Sequence, residues 1–233
     1  NTALKNLAEA LLWFSENKDE PGYSWALNLK GNLHESFGDY ENALIFCLKA
    51  QKLSIEIKDR ETEAETCSQL GLIYTRLSNF NKALEYYREA LSIREAMKDE
   101  NAIASSLNRI GMIMRLTKKY DESLDYYFKS PNIRRRNNQV SSIPWTLLGI
   151  ASTCEEMEKF SESLEFYQQG MSGGDKRSTL QCIMGSGRIY SLMGKSEQAE
   201  ARLGESLRMA QELKALSLVA EAYSGLAAHY EST

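Results

Sequence analysis

Gly31, Gly71, Gly111 and Ala151 stand 40 positions apart, each preceded by a helix-like run and followed by a short polar turn. The turns read "FGDYENA", "LSNFNKA", "TKKYDES" and "MEKFSES". A second small-residue series, Ala43, Ala83, Ser123 and Ser163, keeps the same step, and a leucine follows each member: Leu44, Leu84, Leu124 and Leu164. Ala3-Leu4 fits one period earlier. Gly187 and Ala199 continue the two series after a deletion of four residues, and Ala227 resumes the 40-residue step. Agreement in two separate halves of the unit identifies a tandem repeat, and a tandem repeat restricts the chain to stacked architectures.

Each half-unit has helical periodicity. Cys67, Leu70, Gly71 and Tyr74 form one apolar stripe, and Ala83, Tyr87, Ala90 and Leu91 form another. The turn between the halves is short enough to require an antiparallel pair. Composition agrees: three prolines in 233 residues, 42% hydrophobic content, and helix formers throughout. The pattern predicts helices over 2–17, 22–37, 40–57, 61–77, 80–97, 101–117, 120–137, 143–157, 160–171, 178–193, 196–213 and 216–231. One helix pair exposes too much apolar surface to stand alone. Burying a large side chain is worth roughly 1.5–3 kcal/mol, and a neighbouring pair presenting a similar face provides that burial.

These residues resemble the tetratricopeptide repeat family. The family's unit has a large apolar residue, Leu-Gly and Tyr on one helix, then Ala, an aromatic and Ala on the next. Here that is Cys67, Leu70-Gly71, Tyr74, Ala83, Tyr87 and Ala90. The third unit offers Leu107, Ile110-Gly111, Met114, Ser123, Tyr127 and Ser130, and the fifth Ile183, Ser186-Gly187, Tyr190, Ala199, Leu203 and Ser206. The resemblance implies an all-α, right-handed α-solenoid of stacked antiparallel helix pairs. The period exceeds the family's common 34 residues, as in long-period bacterial regulatory versions. Residues 1–233 read as a single array that begins and ends within a repeat, hence as a segment of a longer protein.

Two irregularities stand out. Pro131 replaces the residue equivalent to Leu91, so the helix over 120–137 is expected to bend or break near Lys129. "GMSGGDK", Gly170 to Lys176, carries the deletion and reads as a shortened turn, since it lacks the spacing and preceding strand of a phosphate-binding loop.

Little points to chemistry. His34 falls at the aromatic packing position equivalent to Tyr74, and His229 lies far along the stack, so a shared metal site is not expected. Glu155-Glu156 diverge by about 100° on a helix and read as solvated charges. Cys47, Cys67, Cys154 and Cys182 are scattered without a CxxC pair and read as buried thiols, leaning toward a reducing, cytoplasmic setting. The net charge of −4 gives no general attraction to nucleic acid, and no apolar run approaches the ~20 residues that span a bilayer. The one dense basic run, "RRRNN" from Arg134 to Asn138, reads as a solvated helix end. No catalytic residue, metal or cofactor is expected.

The resemblance supplies the candidate site. In the family, first helices of successive units line a concave groove. That geometry would bring together Asn28, Asn32, Ser68, Gln69, Arg76, Asn108, Arg109, Met112, Arg115, Trp145 and Arg188. Asn, Gln and Arg suit the backbone and carboxylates of an extended peptide, and Trp145 suits an apolar anchor. The family's carboxylate clamp for chaperone tails does not carry over. Asn32 matches its asparagine, but Asn28 stands where the clamp has lysine, and Asn108 and Met112 stand where it is basic. The expected function is non-catalytic recognition of a protein or peptide. The alternatives are a regulatory region of a larger signalling enzyme, such as a histidine kinase or nucleotide cyclase, and a homo-oligomerising scaffold.

Overall fold

The computed structural model describes residues 2–136, 143–172 and 175–232, with the side chains of 131–136 and 232 set aside. Among the described residues the secondary structure is helical throughout. The first compact unit, Asn1–Ile113, contains α1 (Thr2–Glu16), α2 (Glu20–Ser36), α3 (Tyr40–Glu56), α4 (Arg60–Arg76), α5 (Phe80–Met97) and most of α6 (Glu100–Leu116). The second unit, Met114–Thr233, contains α7 (Tyr120–Arg136), α8 (Ile143–Glu156), α9 (Phe160–Met171), α10 (Lys176–Leu192), α11 (Ser196–Glu212) and α12 (Leu216–Ser232). The expected helices are present, with boundaries within two residues at either end.

One local device launches most of the helices. A residue in the left-handed region, such as Lys18, Gly38, Lys58, Ser78 or Lys98, stands immediately before an N-cap residue, and the device recurs every 20 residues over this stretch. The left-handed residue reverses the chain. The following side chain then accepts from a backbone N–H of the new helix: Asp19 from Gly22, Asp39 from Asn42, Asp59 from Thr62, Asn79 from Lys82 and Asp99 from Ala102. Lys159 and Lys195 occupy the same place without a side-chain cap.

Within each unit, sequential helices pack as antiparallel pairs, α2 with α3, α4 with α5, α8 with α9 and α10 with α11. Each pair then packs on the next: α3 meets α4, α9 meets α10 and α11 meets α12. The core follows this stacking. Ala43, Cys47, Leu70 and Ile73 form one cluster in the first unit. In the second, Ala151, Tyr167, Cys182 and Ile189 form another, and Leu180, Met184, Leu203, Ala210, Leu218 and Ala222 a third. All four cysteines are buried and unpaired in disulfides, as expected.

Of the bend or break expected near Lys129, the break is corrected. The helix does not end at Lys129; α7 runs on through Pro131 to Arg136. Proline removes the bond to the Tyr127 carbonyl, which costs about 3 kcal/mol in a helix interior. Ser123, Tyr127 and Ser130 are all buried, so the helix is anchored in the core up to the proline. The side chains of Arg134 to Asn138 and the Gly173-Gly174 centre of the shortened turn lie outside the described residues.

Candidate functional site

The repeated small residues set how closely the helices approach. A Cβ added at Gly71 would stand 2.6 Å from the Tyr87 ring, and one at Gly31 would stand 2.3 Å from Cys47 Sγ. In the second unit, Cβ atoms at Gly149 and Gly185 would meet the rings of Tyr127 and Tyr167 at 2.5 and 2.3 Å. Tyr87 of α5, Tyr127 of α7 and Tyr167 of α9 are thus locked against first helices, while Cys47 of α3 fills the equivalent place beside Gly31. His34 takes the expected aromatic place: it stacks on Phe46 at 5.3 Å, as Tyr74 stacks on Tyr86 at 5.5 Å. These contacts fix the rotation of α2 and α4, and with it the side chains each presents outward.

In the first unit the predicted residues divide by depth. Asn28 is 2% exposed and its Oδ1 accepts from Cys47 Sγ at 3.9 Å; Ser68 and Gln69 are likewise buried. Asn32, Asn108, Arg109 and Met112 are half-buried. The Arg109 guanidinium lies 5.8 Å from the Tyr87 ring centroid, so its charge is held over an aromatic face. Arg76 is exposed and donates to Glu35 of α2 at 3.1 Å.

In the second unit two of the predicted arginines pair with the adjacent acids read above as solvated, and that reading is corrected for Glu155, while Glu156 is exposed. Arg115 donates to Glu156, and Arg188 donates to both oxygens of Glu155, at 3.2 and 3.1 Å. Glu155 also accepts from the Tyr167 hydroxyl at 2.6 Å, and its side chain is only 17% exposed. Burial, reinforced by Glu155, raises the Tyr167 phenol above its ordinary pKa. Trp145 is 40% exposed, with its indole N–H donating to Asp175 Oδ2 at 2.8 Å. Burial works upward on Asp175, but N–H groups of Ser178 and Arg177, the Ser178 hydroxyl and the indole hold its carboxyl below the usual range.

Each unit has an open cleft. In the second, a cleft of about 520 Å³ runs along α8, α10 and α12, with Glu155, Arg188, Ser191, Gly225 and His229 on its walls. Ser191 Oγ lies 2.8 Å from His229 Nδ1, and His229 Nε2 lies 3.9 Å from Glu200. The last separation is beyond hydrogen-bond length. The contact between Ser191 and His229 ties α12 to α10. In the first unit, a cleft of about 430 Å³ lies between Trp25 of α2, the start of α4, the end of α5 and the start of α6. Sequence reasoning missed both Trp25 and the carboxylates around it. A signal existed, since Trp25 and Trp145 hold the same place in the 40-residue repeat.

Two family sequence models match the chain: a tetratricopeptide repeat model over residues 23–96, and the model of anaphase-promoting complex subunit 5 over residues 112–228. No curated protein matches it in sequence. Similar solved structures include BtubC (BKLC) from P. vanneervenii, at TM-score 0.74 and 17% identity over 92% of this chain and 90% of that one. The Rap conjugation gene regulator of the plasmid pLS20, in complex with the Phr* peptide, gives TM-score 0.77 and 14% identity over 89% of this chain. Aspartyl phosphate phosphatase F from Bacillus subtilis gives 0.77 and 15% over 91%. The chain spans 59% and 57% of the length of the last two proteins. At these identities the likeness is one of fold.

Proposed function

Because the chain belongs to the tetratricopeptide repeat family, we propose that it is a non-catalytic scaffold that recognises an extended peptide or protein segment on its first-helix faces. The observation that carries this reading is the open cleft of the second unit, where Arg188 stands half-exposed with its guanidinium already oriented by Glu155. Arg115 and Trp145 extend the set within the second unit, and Arg109 and Met112 stand on the first unit's own first-helix face. The side chains of Arg109, Arg115 and Trp145 are held before any ligand arrives, by Tyr87, by Glu156 and by Asp175 respectively. Pre-ordered groups lose little freedom on binding, so several modest contacts add to useful affinity. The fold likeness to a regulator solved with a bound peptide supports the same reading.

A second reading is favoured by the lengths. The chain spans little more than half of the Rap regulator and of the phosphatase, so a regulatory region within a larger signalling protein is the alternative.

Selection from a random peptide library against the 233-residue chain tests the proposal. Selected peptides should lose at least tenfold in affinity with R188A or R109A while helicity by circular dichroism is retained. Failure to select any peptide, or affinities indifferent to both substitutions, would reject it.

A further inference from the structure

The first unit's cleft has a chemistry of its own. Trp25 is 53% exposed and forms one wall, and Met97, 42% exposed, forms another. Trp25 and Met97 give a cavity of about 430 Å³ an apolar side, and the rest of its lining is mostly polar. Asp59, Glu61, Glu65 and Asp99 surround it, and Arg94 is the one basic residue among the lining. Arg94 is already committed. It donates to Ser106 Oγ at 2.7 Å and to Glu65 at 2.8 Å, and its side chain is 8% exposed. Asp59 and Asp99 cap α4 and α6, whose N-termini each offset about half a charge. The lining remains negative after both offsets, with Glu61 exposed at its edge.

We infer that this cleft receives a lysine or arginine side chain of the bound segment. The aliphatic stem would lie along Met97 and the indole of Trp25, and the cationic head would meet the carboxylates. The face of tryptophan attracts cations, and long basic side chains bury their stems while keeping the charge near water. A carboxylate or phosphate would meet repulsion, and an apolar side chain would leave the acidic rim without a partner. The inference rests on the reading that first-helix faces take an extended segment, and it names the chemistry that the first unit selects.

Titration calorimetry with the full chain tests it, using acetylated pentalysine amide and a pentaglutamate counterpart as probes. Pentalysine should bind, and pentaglutamate should not. E61K should weaken pentalysine at least tenfold, because an attraction at close range becomes a repulsion. W25L should weaken it about two- to fivefold, the loss expected for an exposed cation–π contact. E85K, an exposed change on α5 outside the cleft, controls for general charge and should stay within twofold. Circular dichroism verifies that each variant is folded. Equal weakening by E61K and E85K would mean diffuse attraction and overturn the inference, as would indifference to both E61K and W25L, or equal binding of pentaglutamate. Library peptides that bind through Arg188 or Arg109 while pentalysine fails would remove this inference alone. Failure to select any peptide, with pentalysine also unbound, would remove the broader reading and this inference with it.

Discussion

At the scale of single residues, the molecule turns on a few pairs of very unequal size. Gly71 and Tyr87 are one such pair. The tyrosine ring is fully buried and has no free side to move into. Gly71→Ala should therefore destabilise the first unit by about 1–3 kcal/mol, the usual cost of overpacking, although alanine favours helix in isolation; urea denaturation measures the difference. Tyr167 is the second case. Its hydroxyl donates to Glu155, which also holds Arg188. Removing a hydrogen bond to a charged group costs about 1.5–3 kcal/mol, so Tyr167→Phe should lower stability by an amount in that range. It should also loosen Arg188, visible as weaker binding of any peptide that depends on that arginine.

At the scale of elements, the left-handed residue followed by a capping side chain explains why helices begin where they do. Lys159 and Lys195 are two of the places where the cap is missing. Lys195→Asp should stabilise the protein by about 0.5–2 kcal/mol, because aspartate satisfies an orphan N–H and complements the positive helix end; a rise in thermal midpoint is the readout. Element positions were legible in sequence because the 40-residue register is carried by small residues that cannot be enlarged, such as Gly31 and Gly71. Pro131 misled because the local cost of a proline is visible in sequence, whereas the burial of Tyr127 and Ser130, which anchors the helix up to the proline, is not. The candidate site was half legible. That Arg76, Arg115 and Arg188 share one side of their helices follows from periodicity. Their partners Glu35, Glu156 and Glu155 do not, since choosing among acids 33–41 residues away depends on helix rotation set by packing. Asn28, Ser68 and Gln69 share that stripe yet are buried, for the same reason.

At the scale of the whole molecule, the four thiols report on cohesion. Cys47 and Cys67 lie in the first unit, Cys154 and Cys182 in the second. Burial pushes Cys47, Cys67 and Cys182 up to about 12 and raises Cys154 as well. A thiol pKa raised by folding contributes stability below its unfolded value, near 9.0, and loses that contribution as pH climbs toward the folded value. Stability by denaturant titration should accordingly decline as pH rises above 9.0. At pH 8 the native chain should leave all four thiols unreactive to a disulfide reagent, and stepwise denaturation should release them together or two at a time, according to whether the units open jointly. The 20-residue spacing of the left-handed clasps has a consequence of another kind. Every junction along the early part of the chain has the same entry and exit, so a helix pair is an exchangeable cassette. Excision of residues 60–99 would splice Asp59 to Glu100 and leave a capped start like the one removed, so evolution or an engineer can change the protein's length without inventing a new joint.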